Sequence, residues 1–188
     1  MTTWPRHTPN GRPHRLTDRW ARTDRPRTRD EYPRSMHPSF DQYLVYENAH
    51  FRAEQSSDCY IPGYLILSAK ERVASITGLT AAALQALGPT LAVVIDAIET
   101  VTRPELVYVA RFGEEVKHLH CHLLPRTVAL AAEFLTSAAG GDKLNGPLLL
   151  DWARTRYASD AVSAGQRVKV AEATQAIREH LRSASVGE

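Results

Sequence analysis

The stretch KHLHCHLLPR, residues 117–126, places His118, His120 and His122 at every second position with Leu119, Cys121 and Leu123 between and after them. Strict alternation is the period of a β-strand, whose successive side chains point to opposite faces. The spacing therefore predicts a strand that seats Leu119, Cys121 and Leu123 on a core and turns three imidazoles to the other face. Pro125, which lacks an N–H, marks the end of that strand.

The flanking sequence supplies the rest of a sheet. YLVYE (43–47) and HFRAE (50–54) flank Asn48-Ala49 and read as a hairpin. Pro62-Gly63 punctuates the chain before YLILS (64–68), a buried strand, and ELVYVARF (105–112) is β-branched and aromatic enough to be another. Between these two, Leu84, Leu87, Leu91, Val94, Ile95 and Ile98 recur at helical spacing behind Thr80, a residue suited to capping a helix N-terminus. This is the main helix, which Gly88-Pro89 is expected to kink or to split in two. AAGGDKLNGP (138–147) reads as a loop, and LLLDWARTRY (148–157) and VAEATQAIREHL (170–181) read as helices. The expected fold class is α+β, a mainly antiparallel sheet of about five strands with one long helix packed on it, followed by C-terminal helices.

A chain of 188 residues with 43% hydrophobic residues suits one well-buried domain with tails. Its two cysteines, Cys59 and Cys121, form no C-x-x-C spacing, which argues against a disulfide framework or a cysteine zinc site and fits a reducing, cytoplasmic setting. No apolar run is expected to reach the roughly 18 residues of a membrane span, and the basic N-terminus lacks the apolar segment of a signal peptide. The net charge of +2 hides an asymmetry. Residues 1–35 hold nine Arg against four acidic residues, whereas the remainder holds 14 basic and 17 acidic ones. With five of the eleven prolines and little aliphatic content, residues 1–36 are expected to be a disordered tail. Clustered Arg with Trp4 and Trp20 would suit an arm for nucleic acid. A solvated tail, or residues upstream of a start at Met36, is the preferred reading, since charge runs are usually solvated. The expected organisation is thus a tail (1–36), a central domain (37–128) and a loop with C-terminal helices (129–188).

Three histidines on one strand face suggest chemistry of two kinds. Residues two apart on a strand lie about 6.6 Å apart and four apart about 13 Å, while each ligating nitrogen must sit roughly 2.1 Å from a shared ion. Two of the three could bind a metal with help from another strand, for instance His50. A covalent role uses the spacing better, because a neutral imidazole is both a good nucleophile and a good leaving group near neutral pH. His120, with an imidazole on either side, is the natural nucleophile.

His118-Leu119-His120-Cys121-His122-Leu123-Leu124 resembles the His-φ-His-φ-His-φ-φ signature of the histidine triad superfamily of nucleotide hydrolases and transferases. The following Pro125-Arg126 is similar to the branch that cleaves dinucleoside polyphosphates. IPGYLILSAKERVASITGLT (61–80) looks like that family's Pro-Gly-His strand, its Pro-Lys-x-His segment and the approach to its main helix. The resemblance covers about residues 40–127. It implies that His120 attacks the α-phosphorus of a nucleotide to form a nucleotidyl-histidine intermediate, which water or another acceptor resolves. It implies that the carbonyl of His118 orients His120 and that His122 contacts phosphate oxygens. No metal is implied for the covalent step, although such substrates often arrive as Mg2+ complexes, and a homodimer is implied.

Several residues depart from that pattern. Glu115 stands where the family carries the Ser or Thr that contacts phosphate or leaving group, and Glu114 precedes it. Carboxylates there would have to face away, bind a cation or be protonated. Tyr64 replaces the histidine of Pro-Gly-His and can still donate a hydrogen bond. Ser56, by ungapped reading, replaces the acidic or amide residue that holds the ribose, and Arg72 lies near the histidine of Pro-Lys-x-His. Substrate contacts are thus expected from Glu115, Arg126, Tyr64 and Ser56, with Arg126 either near phosphate or paired with an acidic neighbour. Blander readings are preferred elsewhere: His50 at the surface of the hairpin, His180 solvated, Cys121 in the core, and Trp152 and Tyr157 in aromatic packing rather than over a base. A non-catalytic nucleotide-binding module and a metal-assisted phosphohydrolase are the competing readings of function.

Overall fold

The computed structural model describes residues 42–114 and 116–184. The expectations for residues 1–36, for Met36 as a start and for Glu115 fall outside them. Five strands, β1 (Leu44–Glu47), β2 (Phe51–Gln55), β3 (Leu65–Ala69), β4 (Leu106–Ala110) and β5 (His120–Arg126), form one sheet. Its order is β1-β2-β3-β5-β4, with every pair antiparallel. Among the described residues there are four α-helices: α1 (Ala81–Thr102), α2 (Val128–Thr136), α3 (Gly146–Arg156) and α4 (Ala164–Ala184).

The β1–β2 turn is built by Asn48, whose Oδ1 accepts the N–H groups of His50 and Phe51, each at 2.8 Å. Its Nδ2 donates to Thr90 Oγ1 at 2.8 Å, which ties the hairpin to α1. That helix starts where expected, with the Thr80 hydroxyl accepting from Ala83 N–H, and it ends at Arg103, in left-handed backbone before Pro104. It is one helix, not two: Pro89 lies within it on an exposed face, where a missing N–H is least costly. The buried stripe is Ala83, Thr90, Val94, Ala97 and Ile98, while Leu84, expected to be part of it, is exposed. By length and composition α1 also matches a membrane span, against the expectation that no run comes close. Its buried face packs on the sheet as the core helix of this fold.

The strands alternate as their sequences require. Leu65, Leu67 and Ala69 of β3 and Leu123 of β5 are buried on the face that receives α1, in one core with Ile98 and with Ile177 and Leu181 of α4. Arg178 of α4 donates to the Leu44 and Gln42 carbonyls, satisfying acceptors along β1. The opposite face is covered in part. Leu124 and Tyr64 join Leu130 and Phe134 of α2 and Leu149, Leu150 and Ala153 of α3 in a second core. Helix α2 is not among the elements expected from the sequence, where Pro125 marks only the end of a strand. β3 pairs with β5 only as far as Leu123, so Pro125 sits where β5 has a single neighbour and a proline is tolerated, and the strand runs on to Arg126.

Gly63 is held at φ +75°, and a Cβ there would come 2.6 Å from Thr102 Cγ2. Gly63→Ala should therefore destabilise the fold by about 2 kcal/mol through backbone strain and the clash together. Urea denaturation reads the loss, and adding Thr102→Ser should return the steric share alone.

A candidate active-site cleft on the histidine face

The half of the second sheet face that α2 leaves open is the floor of a cleft of about 800 Å³. His118, His120 and His122 line it, with Tyr64 and Ser56 from the β2–β3 region and Phe112 and Glu114 from the segment after β4. Strand register places the imidazoles: His120 lies opposite Ser68, and His122 lies between Ile66 and Ala110. His118 precedes the strand, which begins at His120, yet reaches the same cleft.

The hydrogen bonds assign each ring its tautomer. A carbonyl can only accept, so His118 Nε2 donates to Ala69 O at 2.6 Å and His120 Nδ1 donates to His118 O at 2.8 Å. Neutral His120 therefore carries its lone pair on Nε2. His122 Nδ1 lies 2.7 Å from the Tyr64 hydroxyl. Tyr64 is buried, and desolvation raises its pKa, so its O–H remains a donor, and His122 Nδ1 is the acceptor within reach. His122 is then left with an Nε2–H to offer. Burial, the nearby His120 and the charge of Arg154 lower the His122 pKa to about 4, which keeps this ring neutral. The two rings stand edge to face with centroids 5.0 Å apart. One strand thus presents a lone pair at His120 and a proton donor at His122.

The other expected site residues separate. Ser56 lines the cleft and braces its own loop, its Oγ accepting Cys59 N–H at 3.2 Å. Arg126 shares the pleat face of the triad but lies at the far end of β5, where it pairs with Glu105 at 3.6 Å and does not line the cleft. Of its two expected readings, the acidic partner is the one seen. Glu114 folds back so that its carboxylate accepts Gly113 N–H at 2.9 Å. Backbone hydrogen bonds hold its pKa below the usual carboxylate value, which removes the protonated-acid option for this residue. Arg72 does not line the cleft. His50 sits in the hairpin turn, 4.0 Å from Glu71 and away from the triad. His180 is not simply solvated: its Nε2 lies 2.9 Å from Asp96 Oδ2, joining α4 to α1. Trp152 packs edge-on against Phe134 and Tyr157 in the second core. Among the described residues no group of three His, Cys, Asp or Glu is placed to hold a metal ion.

Helix α3, whose Trp152 and Tyr157 the sequence suggests only for aromatic packing or for covering a base, forms a wall of the cleft through other residues. Pro147, Leu150, Asp151, Arg154 and Thr155 line it, a spacing of i, i+3, i+4, i+7, i+8 that marks one helical face. The helix is anchored by Tyr60 N–H donating to Tyr157 O at 2.8 Å and by Cys59 Sγ approaching Ala153 O at 3.5 Å. The spacing was visible in the sequence, but nothing local showed that this face would meet the histidines.

Residues 38–128 match the family model of the HIT domain. No curated protein matches the chain. Among solved structures, a histidine triad protein from Bradyrhizobium japonicum is 17% identical, with a TM-score of 0.52 over 78% of this chain and 97% of its own. A hypothetical histidine triad nucleotide-binding protein from Sulfolobus tokodaii is 17% identical, with a TM-score of 0.51 over 75% and 84%. A Zn-bound histidine triad family protein from Mycobacterium smegmatis is 15% identical, with a TM-score of 0.50 over 77% and 87%. At these identities the likeness is one of fold.

The depressed His122 pKa makes stability depend on pH. Between about pH 6.5 and pH 4 the unfolded chain binds a proton at this residue that the folded chain does not, so stability falls as pH drops through that window. His122→Asn should flatten that dependence by an amount on the order of 2–3 kcal/mol between pH 7 and pH 4, read as urea midpoints for both proteins.

Proposed function

We propose that this chain, whose residues 38–128 carry a HIT domain, is a nucleotide hydrolase or nucleotidyl transferase that works through a covalent intermediate on His120. The observation that supports this best is the hydrogen bond from His120 Nδ1 to the His118 carbonyl, which leaves Nε2 as the free nucleophilic nitrogen. In this reading Nε2 attacks the α-phosphorus of a nucleoside polyphosphate or phosphoramidate, a P–N bond forms, and the bond to the leaving group breaks with its electron pair. Solvent supplies the proton that neutralises the leaving group. The nucleotidyl imidazolium keeps its Nδ1–H on the His118 carbonyl, whose partial negative charge favours the cation. Water then attacks phosphorus, the P–N bond breaks, neutral His120 returns, and a nucleoside monophosphate and a proton leave. His122 donates Nε2–H to a phosphate oxygen throughout, with Tyr64 holding its tautomer. Mg2+ enters, where it does, as the counter-ion of the substrate.

Intact-protein mass spectrometry after brief mixing with diadenosine tetraphosphate or adenosine phosphoramidate tests this directly. Wild type should gain one adenylyl group, His120→Ala should gain none, and with adenosine phosphoramidate a chelator should leave the yield unchanged. No adduct and no turnover in wild type would favour a binding module, and loss on chelation with the phosphoramidate would favour a metal-assisted phosphohydrolase.

A homodimer belongs to the same reading. β4 is an edge strand that exposes Leu106 and Val109, and beside it Ile76, Leu87, Leu91 and Val109 line an apolar groove of about 230 Å³. An exposed apolar edge of this kind suits pairing with a second copy. Light scattering should give twice the monomer mass for wild type and the monomer mass for Val109→Asp.

A further inference from the structure

We propose that Arg154, carried by α3 beyond the HIT domain, is the residue that receives the negative charge of the substrate phosphate. The inference rests on the nucleotide reading above and adds a recognition element to it. Its ground is the composition of the cleft. The described residues that line it include four carboxylates, Glu54, Asp58, Glu114 and Asp151, and Arg154 is the one Lys or Arg among them. Among the described residues, an anionic substrate that enters this cleft meets one Lys or Arg.

The geometry makes that cation available. Arg154 is exposed and is joined to no carboxylate by an ion pair among the described residues. Glu54 is already occupied, with its Oε1 2.7 Å from Arg52 Nη2. Next to Arg154 in the chain is Ala153, wholly buried in the second core, which holds the backbone in place while the longer side chain reaches over the cleft. Its position is also electrostatically coupled to the site, because its charge acts on His122, Tyr64 and Cys59, favouring the less protonated form of each. Arg154 and His122 thus line the same cleft. A guanidinium and an Nε2–H converging on one oxyanion form a donor set suited to a phosphate, with the planar fork of Arg able to bind two oxygens at once. Arg156, two residues on, is a built-in control, since it is engaged with Glu133 at 2.8 Å and does not line the cleft.

The experiment is isothermal titration calorimetry of the full chain with AMP, GMP, CMP and UMP, for wild type, Arg154→Ala, Arg154→Lys and Arg156→Ala, with urea midpoints measured in parallel. The expected result is a loss of affinity on the order of 10-fold or more in Arg154→Ala for whichever monophosphate wild type binds. The loss should be smaller in Arg154→Lys and absent in Arg156→Ala, with unchanged midpoints. Wild-type affinity should also fall with added salt more steeply than that of Arg154→Ala. Unaltered affinity in Arg154→Ala, or an equal loss in Arg156→Ala, overturns the assignment of Arg154 while leaving the nucleotide reading in place. Absence of binding by wild type to all four overturns both.

Discussion

The pleat of β5 governs the cleft because both of its faces are committed. Cys121 and Leu123 face the α1 core, while His120, His122 and Leu124 face the other way. A slip of one residue would place two imidazoles in an apolar core and expose leucines, and such a shift is opposed by every buried contact the strand makes. Pairing on both sides, to β3 and to β4, pins that register between Ser68 and Ala110. The order of the sheet follows from the same requirement: α1 carries the chain from β3 past the central position to β4, and β5 returns to fill the gap.

On the histidine face, packing and chemistry divide the strand between them. Leu124 is fully buried under α2 and α3, His122 lies at the margin with 9% exposure, and His120 and His118 are both half-buried. That gradient has chemical content. At the margin, burial keeps His122 neutral and places Tyr64 against its Nδ1, whereas the open positions leave His120 Nε2 accessible to a substrate. The carbonyls of Ala69 and His118 act as fixed acceptors that cannot change role, so the tautomers are set by backbone rather than by mobile side chains.

How much of this the sequence carried follows from the range of each signal. The triad strand, the Asn48 hairpin and the Thr80 cap are local patterns, with a period of two, a turn residue and a capping residue, and the elements form within a residue or two of where they were read. Tyr64 was recognised as a hydrogen-bond donor, but its acceptor, His122, lies 58 residues further along the chain and is brought to it by the β3–β5 pairing. Helix α2 carries a readable cap in Thr127 and an apolar pattern in Leu130, Ala131 and Phe134, although no element is expected from the sequence between Pro125 and the 138–147 loop. The cleft face of α3 was the least accessible, because a helix with two usable faces is oriented by its neighbours. Arg126 shows the converse: it lies beside the motif and on the right pleat face, yet distance along the strand puts it with Glu105 instead.

The balance of charge in the cleft bears on the substrates within the proposed range. Asp58 and Asp151 have no basic partner among the described residues, and Glu114 is held ionised by backbone N–H groups. Against them stand Arg154 and a neutral His122. A carboxylate about 7 Å from a phosphate oxygen repels it by roughly 2 kcal/mol at an effective dielectric of about 20. One phosphate can be satisfied by one guanidinium, but each further anionic phosphate would meet carboxylates with no second Lys or Arg among the described residues that line the cleft. Under the proposed nucleotidyl-transfer reading, the electrostatics of the described residues would favour the end of the range in which a single phosphorus is joined to a neutral or cationic leaving group, as in a phosphoramidate. A polyphosphate would have to bring its own Mg2+ to offset the carboxylates, and the ion would then serve to admit the substrate rather than to activate His120.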